Sequence, residues 1–170
     1  GKGSGTIKNS QFNNNYAQAS GAALGAVSGT VTVEDSKFNN NRANILGGAI
    51  SSSKSNIAII NSEFTGNTAG YGGGAIYGSS SSGSSASQID ITDSTFKDNK
   101  ADSNRGGAIH NSSSIFNITA QNKQVLFEGN TDSKGSNAIF NYAEYGEATI
   151  NLNANSGNNI VFNDKIDGKE

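Results

Sequence analysis

The sequence predicts an all-β fold, a right-handed parallel β-helix with about five to six turns and three short strands in each. Three observations point there. A Phe-x-x-Asn tetrapeptide followed by Gly-Gly-Ala-Ile recurs along the chain, a short apolar alternation precedes the Phe, and the pieces between are too short and Gly-rich for helices.

The clearest copy runs from Phe38 to Asn41 and then from Gly47, Gly48 and Ala49 to Ile50, nine residues separating Phe from the first Gly. Phe12 to Asn15 leads to Gly21-Ala22-Ala23-Leu24, and Phe64 to Asn67 leads to Gly73, Gly74, Ala75 and Ile76. Phe96 to Asn99 leads to Gly106, Gly107, Ala108 and Ile109, with an offset of ten. Phe127 to Asn130 leads to Ser136-Asn137-Ala138-Ile139, and a sixth copy begins at Phe162 with Lys165 where Asn is expected. Successive Phe residues lie 26, 26, 32, 31 and 35 positions apart. Turns are expected at about 5–29, 30–56, 57–88, 89–114, 115–147 and 148–170, as one β-helix segment of a longer stack.

The first strand of each turn is the alternating piece before Phe: Val31-Thr32-Val33, Ile57-Ala58-Ile59, Ile89-Asp90-Ile91. Apolar residues at two-residue spacing give a strand one buried face. Asn9, Asp35, Asn61 and Asp93 then occupy one equivalent position, and Asn and Asp tolerate a left-handed bend. Ser10, Ser36, Ser62 and Ser94 follow, small enough for an inward corner, before Phe opens the second strand. The Gly pair marks a second corner. Leu24, Ile50, Ile76, Ile109 and Ile139 start the third strand, while the direction of the preceding Ala stays open.

Stacking of equal positions predicts columns of Phe, Ile/Val and Ile/Leu inside, with turns ~4.8 Å apart. The Asn three residues after each Phe is expected to form an amide ladder satisfying turn backbone. It also sets Lys37 beside Glu63 and Lys97 beside Glu128. Length variation is expected in loops: Ser79 to Ser87, an excursion from Ile115 to Val125, and Phe140 to Glu147.

Composition narrows the function. A formal charge of −2 offers no basic face, so nucleic acid is not an expected partner. No apolar run reaches the ~18 residues that span a bilayer. Absence of Cys fits either a reducing compartment or an exported, unbridged chain, and absence of Met suits a processed or excised piece. His110 is the only His, so metal or triad chemistry has little material and a surface role is expected.

Catalysis by paired carboxylates would need them to converge in one groove. Asp90, Asp93, Asp98 and Asp102 crowd the fourth copy, yet alternation points them to different faces. Asp35 and Asp93 are two turns, ~9.6 Å, apart, too far to share a calcium ion. Only Arg42 and Arg105 supply guanidinium groups, both in loops. No catalytic, cofactor or metal residues are therefore assigned, and the expectation is a non-enzyme.

The tetrapeptide pairs resemble the passenger region of chlamydial polymorphic membrane proteins and related bacterial autotransporters, over roughly Ile7 to Ile139. The resemblance implies export through a separate barrel, display on the outer membrane surface, and adhesion to a host-cell surface protein or glycan. It also implies that the tetrapeptides matter for adhesion. Read from the residues, Phe and Asn are core and ladder, so their effect would be to hold the turns that present loops. Tyr16, Tyr71, Tyr77, Tyr142 and Tyr145 lie in or beside loops, where they either pack on the rod or meet a partner. Tyr142, Tyr145 and Tyr71 are the candidate partner contacts. A polysaccharide-acting enzyme and a structural spacer, self-associating through open ends, are the alternatives.

Overall fold

In the computed structural model, which describes residues 3–80, 86–144 and 146–168, the strands form four six-stranded sheets, with no helix among the described residues. Strands of equal position stack in parallel and in register, so Phe12, Phe38, Phe64, Phe96, Phe127 and Phe162 pair along one sheet. The chain is a parallel β-helix.

Each full coil holds four strands rather than three. The third coil shows them: Asn56–Ile60, Glu63–Thr65, Thr68–Ala69 and Ile76–Ser79. The extra strand is two residues long, so it carries one inward side chain and leaves no alternation to read. Its trace is a column of Ala43, Ala69 and Ala101, all buried. The fifth coil places Asp132 there, and Thr131–Asp132 turns back as a hairpin against Gly135–Ser136.

Four corners separate the four strands, each marked by positive φ. Asn9, Asp35, Asn61 and Asp93 take φ 47–52° at the first, as their residue type favours. Asn14, Asn40, Gly66, Asp98 and Gly129 make the second, and Gly21, Gly47, Gly73 and Gly106 the third. Ser28, Lys54 and Ser113 form the fourth, with φ 54–64°. Nothing in their residue types announces that corner.

Two expected loops are in part strand. Ser114–Ala120 lies on the first sheet, where Phe116 and Ile118 take the buried places of Ile89 and Ile91. The insertion is thus confined to Gln121–Gln124. Ile139–Tyr142 extends the fourth sheet, pairing Phe140 with His110. Residues 81–85 of the expected Ser79–Ser87 loop lie outside the described residues, as does Tyr145.

The interior is single file. Six Phe rings stack at centroid spacings of 4.6–4.9 Å, tilted by 3–8° from one another. Offset by one strand spacing, each ring covers the next, and burying such a side chain contributes about 1.5–3 kcal/mol. Ala49, Ala75, Ala108 and Ala138 are buried beside Ile50, Ile76, Ile109 and Ile139, so the Ala of Gly-Gly-Ala-Ile faces inward.

Candidate functional site

The tetrapeptide residues are spent on the coil. Asn67 accepts from the Asn41 backbone N–H (3.0 Å) and from Asn41 Nδ2 (2.9 Å) through Oδ1. Its own Nδ2 donates to the Phe38 carbonyl (2.8 Å) and to Asn99 Oδ1 (3.0 Å). The same four bonds recur at Asn41 and Asn99, so every amide group is used. Asn130 closes the run on Asp164 Oδ2, not on Lys165. The last seat needs only an acceptor, and Asp164 supplies it one residue early.

Asn41, Asn67, Asn99 and Asn130 have no exposed surface, nor do Phe38, Phe64, Phe96 and Phe127. Phe12 and Asn15, in the first coil, are half-buried. Gly48 is held by close approach: an added Cβ would lie 2.0 Å from the Gly74 carbonyl oxygen. Gly74 meets Gly107 in the same way at 2.1 Å.

The carboxylates are likewise engaged. Asp93 accepts backbone N–H bonds from Gln121 (2.7 Å), Asn122 (3.1 Å) and Lys123 (3.2 Å). Burial pushes its carboxyl up, but these donors together outweigh it and hold the pKa below the usual range. Asp35 accepts from Asn61 Nδ2, Asp90 from Gln88 and Asn117, and Asp132 from Asn137. Lys37–Glu63 (2.8 Å) and Lys97–Glu128 (3.2 Å) pair across coils at half-exposed sites, as their register requires. Among the described residues no group of three metal-ligating side chains converges.

A second cluster of side chains stands outside the coil, over the fourth sheet. His110 pairs in register with Tyr77 on one coil and Phe140 on the next. The loops entering the Gly corners close over them. Arg105 places its guanidinium 4.5 Å from the Tyr71 ring centre, 5.8 Å from Phe140 and 5.9 Å from Tyr142. Cation–π attraction of this kind holds a guanidinium on a ring without an acid partner, and among the described residues Arg105 makes no ion pair.

The fold therefore brings Tyr71 and Tyr142 together around one Arg. Tyr71 is 43% exposed, and Ile45, whose carbonyl accepts from the Tyr71 N–H at 2.7 Å, is 47% exposed. Tyr142 is half-buried, and Glu144 beside it reaches Ser112 Oγ at 3.1 Å. Tyr16 stands apart, its hydroxyl accepting from Asn44.

His110 is not a surface residue: only 2% of it is exposed. Its position alternates outward, which is what sequence reasoning sees. The cover comes from Arg105, five residues earlier in the loop before Gly106, and from Phe140, thirty residues later on the neighbouring strand, so no local pattern shows it. Arg105 and Phe140 were missed as members of the cluster for the same reason, although the Phe-Asn-Tyr run after Ile139 was a visible sign of a covered outer face.

A model of the Chlamydia polymorphic membrane protein repeat matches the chain three times, at residues 35–53, 61–79 and 93–112. Each match opens at or on the first-corner residue, Asp35, Asn61 or Asp93, and ends on the last residue of a fourth-sheet strand. The repeat is thus three-quarters of a coil, taken in the second, third and fourth coils. No curated protein and no solved structure matches the chain.

Proposed function

Starting from three consecutive coils that carry the Chlamydia polymorphic membrane protein repeat, we propose that the chain is a non-catalytic passenger segment displayed on the bacterial outer surface. It attaches to a host-cell surface protein through the Ile45–Tyr71–Arg105–Tyr142 surface. The repeat supports the surface setting, and the cluster supports the contact. One observation carries the contact: the Phe and Asn of the second to fifth coils are enclosed, whereas Tyr71 and Arg105 offer outside an aromatic face and a guanidinium with no ion pair among the described residues. Tyr and Arg dominate the energetics of protein–protein contacts.

Saturable binding of the chain to host cells tests this, compared with a Tyr71→Ala, Arg105→Gln double variant of unchanged far-UV spectrum. Binding at least tenfold weaker in the variant, and lost when the cells are treated with protease, is expected. Undiminished binding removes the surface from consideration. Loss on glycosidase treatment instead replaces the protein partner with a glycan.

A structural spacer is the second reading, and one feature favours it. Among the described residues Ser4–Lys8 is paired on one side only, and Val27 at the same end is 75% exposed. Such an edge invites stacking on a second copy. Concentration-dependent sedimentation that Val27→Lys abolishes would support that reading.

A further inference from the structure

His110 lies on the outward side of its strand, where an imidazole is ordinarily wet. Here the Tyr77 ring stands 5.2 Å away on one side and the Phe140 ring 5.6 Å away on the other. The Gly72 backbone is so near that a Cβ there would come within 2.7 Å of Nδ1 and of the Arg105 Cβ alike. Neither ring nitrogen has a hydrogen-bond partner. A buried polar group in that condition is costly, and a charged one far more so.

The titratable and charged groups around it are Tyr77 on the preceding coil, Arg105 in the covering loop, and Tyr71 and Tyr142 beyond Arg105. Glu144 is turned to Ser112. Among the described residues neither ring nitrogen meets an acceptor for an imidazolium, and the charge that acts on the ring is the Arg105 cation. Burial, and after it the Arg105 charge, push the His110 pKa from 6.5 down to about 3.

We propose that His110 is an acid-operated release beneath the Tyr71–Arg105–Tyr142 surface: a proton taken up by its ring drives off the cover of Arg105 and Phe140 and dismantles that surface. The proton comes from water and goes to a ring nitrogen; no other bond changes. Opening is local to the Arg105 loop and the fourth-sheet strands beside His110, because His110 touches the coil from outside and the Phe column lies on another sheet. Only the consequence for attachment rests on the function proposed above; the release itself does not.

The sign follows from linkage. A base whose pKa is lower in the closed state binds its proton on opening. The cover is therefore fully stable above pH ~6.5, weakens as the pH falls below it, and stops weakening near pH ~3. Within that window the opening equilibrium rises about tenfold per pH unit. Ordinary carboxylates titrate near ~4, so the interval from pH 7.5 to 5.0 belongs to the chain's only His.

Hydrogen exchange of the whole chain at pH 7.5 and 5.0, corrected for intrinsic rates, tests it. Exchange at residues 105–112 and 139–144 is expected to rise roughly thirtyfold, while strands of the Phe column keep their protection. His110→Phe, which retains a ring between Tyr77 and Phe140, is expected to abolish the rise. Should that variant not fold, the His110 ring signals of the unaltered chain decide: a ring still neutral at pH 5.5 in the closed state supports the release. Equal protection at both pH values, an undiminished rise in His110→Phe, or a ring titrating near 6.5 with protection intact overturns it. Cell binding is not read in any of these measurements, so failure of the attachment reading leaves a separate signature.

Discussion

The rings of Phe38 and Phe64 lie 4.7 Å apart and 3° from parallel, although 26 residues separate them in the chain. That spacing is the distance between neighbouring strands, so side-chain stacking and backbone pairing reinforce one another at every coil. Phe64→Ala empties one seat in a column with rings on both sides and is expected to cost about 3–5 kcal/mol. Phe12→Ala, stacked on one side and half-buried, should cost clearly less. Chemical denaturation of both variants checks the order.

The amide ladder predicts an asymmetry between two near-identical substitutions. Asn99→Asp turns a donor into an acceptor facing the Phe64 carbonyl and Asn130 Oδ1, in a site without solvent. A loss of several kcal/mol is expected. Asp164→Asn keeps an acceptor for Asn130 and leaves Ser136 Oγ able to accept in turn, so it should cost under about 1 kcal/mol. Thermal unfolding at pH 7 measures both.

Close approach at the Gly corner separates glycines that look alike in sequence. Gly74→Ala drives a Cβ into the Gly107 carbonyl oxygen and is expected to prevent folding or to lower the midpoint steeply. Gly25→Ala meets nothing within 4 Å and should be neutral or slightly stabilising. Soluble yield and melting temperature compare them directly.

The Gln121–Gln124 insertion hangs on one carboxylate. Because the Asp93 pKa is lowered, its contribution is present above the ordinary Asp range and fades as the pH falls through it. Asp93→Asn keeps a residue suited to its φ of 52° and removes the charge. Faster amide exchange at Gln121 to Lys123 near neutral pH, with the coil unaffected, is the expected result.

Much of this architecture was legible because stacking turns position into identity. Phe, Asn, Gly and the bend-forming Asn/Asp recur since each seat has one steric or hydrogen-bonding answer. The two-residue strand escaped, since a single inward Ala per coil carries no period. Asp164 escaped because the ladder asks for an acceptor at its end and not for Asn at a fixed offset. The outer cluster escaped for a different reason. Tyr71 and Tyr142 read as loop residues and His110 as a surface one, but their contact depends on where Arg105 and Phe140 fold over the fourth sheet. No residue spacing encodes that.

The register between coils is open to one decisive measurement, helped by the absence of native Cys. Lys37 and Glu63 are paired neighbours on adjacent coils and half-exposed, whereas Thr95 stands one coil further on. Mild oxidation, or a short thiol-reactive linker, should join Lys37→Cys to Glu63→Cys rapidly, since adjacent strands place the Cα atoms ~4.8 Å apart, within disulfide reach. Lys37→Cys with Thr95→Cys, ~9.6 Å apart, should remain unlinked. Equal linking of both pairs, or preferential linking of Lys37→Cys to Ser62→Cys, would mean the coils do not sit in single file.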